Sequence, residues 1–177
     1  MEGDKDCGGM IACNYYSGEP VTGLEEGRPM FLRRPDSHLG LANFMRSHLY
    51  ASLATLKIGL DILLKEEDVK IDSITGHGGL FKTKGVGQSI LAAAMNAPIS
   101  VMETAGEGGA WGMALLAAYM LFKKDGQSLG DYLDSRVFAE RKSETMEPDP
   151  ADVAGFETYT KQYQACLAAE KAAVQAF

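Results

Sequence analysis

The stretch from Ile74 to Tyr119, ITGHGGLFKTKGVGQSILAAAMNAPISVMETAGEGGAWGMALLAAY, sets the tightest limit on what this chain can fold into. Val69 to Thr75 concentrates Val and Ile before a glycine stop, the pattern of a central strand. A helix is predicted from about Val86 to Asn96, ending before Pro98 because a residue preceding proline is disfavoured in the helical state. Ile99 to Met102 gives the next strand. Glu107 to Lys123 then reads as a helix that is apolar nearly all round, which predicts a place buried in the middle of the fold. Both glycine clusters fall where a strand hands over to a helix. Backbone N–H groups are free there to hold a phosphate or the edge of a nucleotide.

The flanks supply the remaining elements. Met10 to Tyr16 suits a strand closed by a turn at Ser17-Gly18-Glu19-Pro20, and Met30 to Leu32 makes a second, shorter strand. Pro35-Asp36-Ser37 opens a helix with Asp36 or Ser37 as its N-cap. Ala42, Met45, Leu49, Leu53, Leu56, Leu60 and Leu63 recur at spacings of three and four, one apolar stripe reaching to about Lys65. Charge pairs flanking that stripe are missing, so a packed core helix is the reading rather than a coiled coil. Gln127 to Asp149 is mixed and polar, with one short helix around Leu129 to Val137. A last helix over residues 150–177 starts at Asp149-Pro150, an N-cap followed by proline at the first helical position. Phe156, Tyr159, Tyr163, Leu167, Val174 and Phe177 give it one sticky face, for packing or for a homodimer.

Bulk properties remove several function classes. A chain of 177 residues suits one domain, and 46% hydrophobic with 23% charged residues is ordinary for a soluble protein. The net charge of −7 leaves no basic field for nucleic acid. Cys7, Cys13 and Cys166 are few and unevenly spaced, as expected of reduced cytosolic thiols. MEGDKDCGGM lacks a signal pattern, and the apolar run from Ala110 to Phe122 is too short to span a bilayer. The expected location is the cytoplasm, with no membrane partner. His38, His48 and His77 share no ligand spacing, so no metal site is expected, and no serine sits in a nucleophile elbow.

Each candidate site residue has a plain structural reading beside the functional one. Gly76-His77-Gly78-Gly79 either forms a tight turn without a ligand or presents the N–H groups of Gly78, Gly79 and Leu80 to a ribose or α-phosphate. On spacing alone the plain turn is preferred, since neither a dinucleotide fingerprint nor a Walker A sequence is present. Lys82 and Lys84 are either solvated loop lysines or phosphate contacts. Gln88 is either a helix-surface amide or a partner for adenine or ribose. In the second cluster, from Thr104 to Gly112, the glycines at 108, 109 and 112 are expected to allow close packing against the first glycine turn. Glu107 is placed to cap its own helix, and no residue is assigned a catalytic role.

Two quoted segments carry a family resemblance. The strand ending in Gly76-His77-Gly78-Gly79 and the helix after Glu107 resemble the adenosine-motif region of the C-terminal domain of FGGY carbohydrate kinases. GGMIACNYYSGEP, from Gly8 to Pro20, resembles the same family's strand and SGE segment, and the match runs in order to Phe122. His77 interrupts the usual glycine triplet, and Lys82 to Gly85 lengthens the loop.

The resemblance implies an α/β fold, the distal part of a ribonuclease-H-like domain of the actin and hexokinase type, with a mixed sheet flanked by long helices. It implies nucleotide binding through Gly76, His77, Gly78, Gly79, Lys82 and Gln88, with ATP and Mg²⁺ as cofactors. It implies a xylulokinase-like parent that phosphorylates a ketose or polyol, its sugar held mainly by an N-terminal domain. That domain's phosphate hairpins and catalytic aspartate have no counterpart in residues 1–177. The chain is therefore expected to be a catalytically inactive C-terminal piece, over 1–177, of a two-domain kinase. The alternatives are a stand-alone nucleotide-binding or dimerisation module, and a Rossmann oxidoreductase with Glu103 as its ribose ligand.

Overall fold

β1 (Met10–Cys13) is buried at every position and pairs antiparallel with β2 (Met30–Arg33), Met10 facing Arg33 and Cys13 facing Met30. The strand expected to reach Tyr16 stops at Cys13. The next position across from it is Pro29, which has no N–H to offer a ladder. The structure, a computed structural model, describes residues 2–103, 105–139 and 143–176. Thr104 of the second glycine cluster and Phe177 of the last helix lie outside them.

The backbone groups into two units: residues 2–72, 89–97 and 148–176 in the first, and 73–88 with the described part of 98–147 in the second. In the first unit, α1 (Leu41–Lys65) and α5 (Pro150–Ala176) both pack on β1. Gly40, not Asp36 or Ser37, stands at the N-cap of α1 and provides no side-chain cap. Those two residues are otherwise engaged. Asp36 pairs with Arg34 at 3.1 Å, while the Ser37 hydroxyl accepts from the Arg34 N–H and donates to the Gly9 carbonyl.

The core of this unit is aromatic. Tyr50 of α1 lies 4.6 Å from Phe156 and 5.4 Å from Tyr159 of α5, centroid to centroid, and Tyr15 faces Tyr163. Burying phenols demands partners for their hydroxyls. Tyr159 donates to the Ser47 carbonyl at 3.0 Å, and Tyr15 shares a 2.8 Å hydrogen bond with Thr55. Phe156, Tyr159 and Tyr163 are thus spent inside the unit, which withdraws the aromatic face of the last helix as a dimer surface. Arg46, also fully buried, donates to Asp152 and to the Tyr50 hydroxyl, and Lys5 adds a second bond to Asp152 at 2.8 Å. The turn expected over Ser17 to Pro20 falls later: Glu19 caps a short helical turn at Pro20–Thr22, its carboxylate accepting from the Val21 N–H, and Glu19 bridges to Leu24.

The second unit is built on a three-stranded mixed sheet. β3 (Ile74–Gly76) runs parallel to β4 (Ile99–Met102), and β4 pairs antiparallel with β5 (Ser143–Met146). The sheet corrects the strand expected over Val69 to Thr75. Only Ile74 to Gly76 pair, on an edge, while Val69 and Ile71 are exposed; β4 is the central strand. β5 went unread in the polar segment after Gln127, because an edge strand of Ser, Glu and Thr carries no apolar alternation. α2 (Val86–Met95) begins in this unit and ends before Pro98, as read. α3 (Gly108–Phe122) has the expected bounds but not the expected burial: none of its residues is buried. α4 (Leu129–Tyr132) continues into a π-helical turn through Val137. Among the described residues no helix is long and apolar enough to cross a membrane.

Candidate functional site

The first glycine turn leaves β3 at Gly76 and is shaped by what each glycine can do. A Cβ at Gly76 would run into the Phe81 ring, which folds back over it through a short helical turn at Gly79–Phe81. Gly78 has φ 109° and ψ −175°, a conformation essentially restricted to glycine. Its N–H donates to the Ala105 carbonyl at 2.7 Å, tying the first turn to the second cluster. Of the three N–H groups expected to face a nucleotide, that of Gly78 is therefore already engaged. Cβ atoms at Gly78 and Gly79 would meet nothing within 4 Å, so the outer surface of the turn is bare backbone.

The neighbouring charges pair with one another. Lys82 reaches Glu107 at 2.7 Å and Lys84 reaches Glu144 at 3.1 Å, all four side chains largely exposed. Exposed pairs of this kind contribute little and exchange readily for a stronger anion. Glu107 occupies the N-cap position of α3 but makes no cap hydrogen bond, its carboxylate being turned to Lys82. Of Gly108, Gly109 and Gly112, only Gly108 delivers the expected close packing, a Cβ there lying 3.1 Å from that of His77. Gly109 and Gly112 face open space. His77 itself is exposed.

Gln88 is neither on the helix surface nor free for a base. Its amide is buried and donates to the carbonyls of Ile99 at 2.7 Å and Glu144 at 2.8 Å, bridging β4 and β5. It forms part of the floor of a cleft of about 410 Å³ on the C-terminal side of β4. Phe81, Lys84, Met102, Glu103 and Glu144 line the same cleft. Sequence reading missed the contributions of Ala105, Phe81 and Glu144. The first is a backbone acceptor and the last comes from the unread strand, so neither left a side-chain signal.

The rest of the chemistry is inert. Burial pushes the Cys7 and Cys166 thiols up and raises Cys13 to about 12, against the nucleophilic thiolate. Among the described residues no group of three or more His, Cys, Asp or Glu side chains converges to hold a metal ion.

Comparison with known proteins gives this geometry a family. Residues 1–121 match the FGGY family of carbohydrate kinases, C-terminal domain. The fold is similar to that of ligand-bound xylulose kinase from Lactobacillus acidophilus, with a TM-score of 0.67 and 20% identity over 94% of this chain and 32% of that one. It is similar to gluconate kinase from the same organism, TM-score 0.68 and 19% identity over 94% and 32%. Plasmodium falciparum glycerol kinase, solved with ADP, gives 0.62 and 17% over 94% and 31%. No curated protein sequence matches the chain. The chain spans just under a third of the length of these kinases, whose fold is ribonuclease-H-like, as expected. The sequence, the mixed sheet and the glycine turn converge: this chain belongs to the FGGY family of carbohydrate kinases, and its first 121 residues match the C-terminal domain.

Proposed function

We propose that this chain is the nucleotide-side portion of a two-domain, cytoplasmic kinase. The parent transfers the γ-phosphoryl group of ATP to a hydroxyl of a ketose or polyol, with xylulose the favoured class. The observation that carries this reading is the bare outer surface of the Gly78-Gly79 turn beside Lys82, in a chain of this family. Glycines without neighbours over their Cα atoms let a phosphate or ribose approach the backbone. The N–H of Gly79 and of Leu80, rather than that of Gly78, is then the donor set. His77 borders the turn, and Lys82 supplies a positive charge once Glu107 gives way. Gln88 acts by holding β4 and β5 together under the cleft.

Phosphoryl transfer also needs an attacking hydroxyl, a base and phosphate-clamping donors in line. The residues proposed here supply one wall only, so the 177-residue chain alone is inactive. The test is a coupled ADP-release assay on the chain extended by its preceding coding sequence, with xylulose, ribulose, glycerol and gluconate as acceptors. Turnover with a ketose or polyol supports the reading; ATP hydrolysis unaffected by any acceptor overturns it.

A further inference from the structure

Helix α3 presents an unresolved contradiction between composition and environment. From Gly108 to Phe122 it carries no charged residue, yet none of its residues is buried. Its inner face is accounted for within its own unit: Trp111 packs on Phe138, and Tyr119 packs on Tyr132 and donates to the Gln127 carbonyl at 2.8 Å. The outer face is not. Met113, Met120 and Leu121 each leave more than two thirds of their surface in water, and Leu116 nearly half. Contiguous apolar surface of this kind marks an interaction site.

The shape of the face limits its occupant. At 100° per residue, the outward positions from Leu116 through Met113 and Ala117 to Ala114 sweep an arc of ~160°. A single helix of a second copy covers a narrower seam than that. The alanines and glycines between the large residues keep the surface low, so a sheet or several segments can lie against it. The chain also accounts for only 31–32% of the kinases whose fold it shares. We propose that the outer face of α3 is the seat of the kinase polypeptide lying outside these 177 residues, and not a dimer interface. This inference rests on the reading of the chain as the C-terminal part of a longer kinase.

Methionine oxidation footprinting tests it, because sulfoxide formation follows exposure. Native protein is treated with dilute peroxide, and the rates at Met113 and Met120 are compared with Met10, which is 0% exposed. In the 177-residue chain both should oxidise far faster than Met10. In the chain extended by its preceding coding sequence, both should fall to the Met10 rate. Unchanged rates in an extended chain that is an active kinase overturn the inference and leave the function standing. Protection in an extended chain without kinase activity does the reverse. Protection that appears in the 177-residue chain as it dimerises, followed by sedimentation, overturns the inference in favour of a second copy. A gene with no kinase-length sequence before codon 1 and no separate polypeptide that protects these methionines overturns it as well.

Discussion

The Gly78 N–H donates a 2.7 Å hydrogen bond to the Ala105 carbonyl, so the two glycine clusters of this chain are one structure. That bond fixes which backbone groups remain for a ligand. It engages the Gly78 amide within the protein, while a Cβ at the succeeding Gly79 would meet open space.

The two adjacent glycines should therefore respond differently to substitution. Gly78→Ala forces a side chain into a glycine-only conformation and should lower the unfolding free energy by about 1–3 kcal/mol. Gly79→Val meets open space and should leave stability within about 0.5 kcal/mol while weakening Mg-ADP binding. Urea denaturation and calorimetric titration of the two variants separate these effects. Equal destabilisation by both would contradict the assignment.

Gln88 offers a test of a structural role at a residue first read as a nucleotide contact. Its amide satisfies carbonyls of two strands, so Gln88→Leu leaves Ile99 O and Glu144 O without that donor. The expected loss is about 2–4 kcal/mol, with faster hydrogen exchange concentrated in β5. A variant of wild-type stability that merely loses ADP affinity would reverse the assignment.

How far the sequence led can be judged from particular elements. α2, β4 and the start of α5 were legible because Pro98 and the Asp149-Pro150 pair act locally. α1 was legible as a helix but not in its packing: Arg46, Ser47, Tyr50 and Ala54 are buried, while Met45, Leu56 and Leu63 of the expected apolar stripe are exposed and only Leu53 of it is buried. The glycine turn was legible as a turn, and its family from residues on both sides of it. β5 was not, since its place comes wholly from pairing with β4. Nor was the role of Gln88, which depends on two carbonyls contributed by distant strands. The burial predicted for α3 failed for a different reason: apolar composition does not record which side of a helix is covered, and the outer side of α3 is exposed.

Acid should destabilise the first unit through Asp152. Burial works to raise its pKa, but hydrogen bonds from Lys5 and Arg46, with their charges, outweigh that and hold it below the ordinary carboxylate value of 3.8. A depressed folded pKa gives stability that is present above the unfolded value and lost as pH falls through the folded one. Unfolding free energy should thus decline below about pH 4. Asp152→Asn removes the charge facing buried Arg46, should cost about 2–4 kcal/mol at neutral pH, and should flatten this acid limb. A steep limb retained in Asp152→Asn would assign it elsewhere.

Glu170 is fully buried, accepts from the Arg28 N–H through Oε1, and leaves Oε2 without a hydrogen-bond partner among the described residues. Glu170→Gln keeps the acceptor and removes the ionisable group, so stability should be held or raised by about 1 kcal/mol. Glu170→Leu removes the carboxylate that accepts from the Arg28 N–H and should cost about 1–3 kcal/mol. Thermal melts that rank the two variants in the opposite order would refute this account.

The central claim is that a nucleotide meets this chain at the first glycine turn. The most direct measurement is a two-dimensional amide NMR titration of the 177-residue chain with Mg-ADP. The account predicts saturable shifts centred on Gly79 and Leu80, reaching His77 and Lys82, with the Gly78–Ala105 hydrogen bond preserved. A folded chain whose turn amides stay unmoved while shifts gather elsewhere would contradict it.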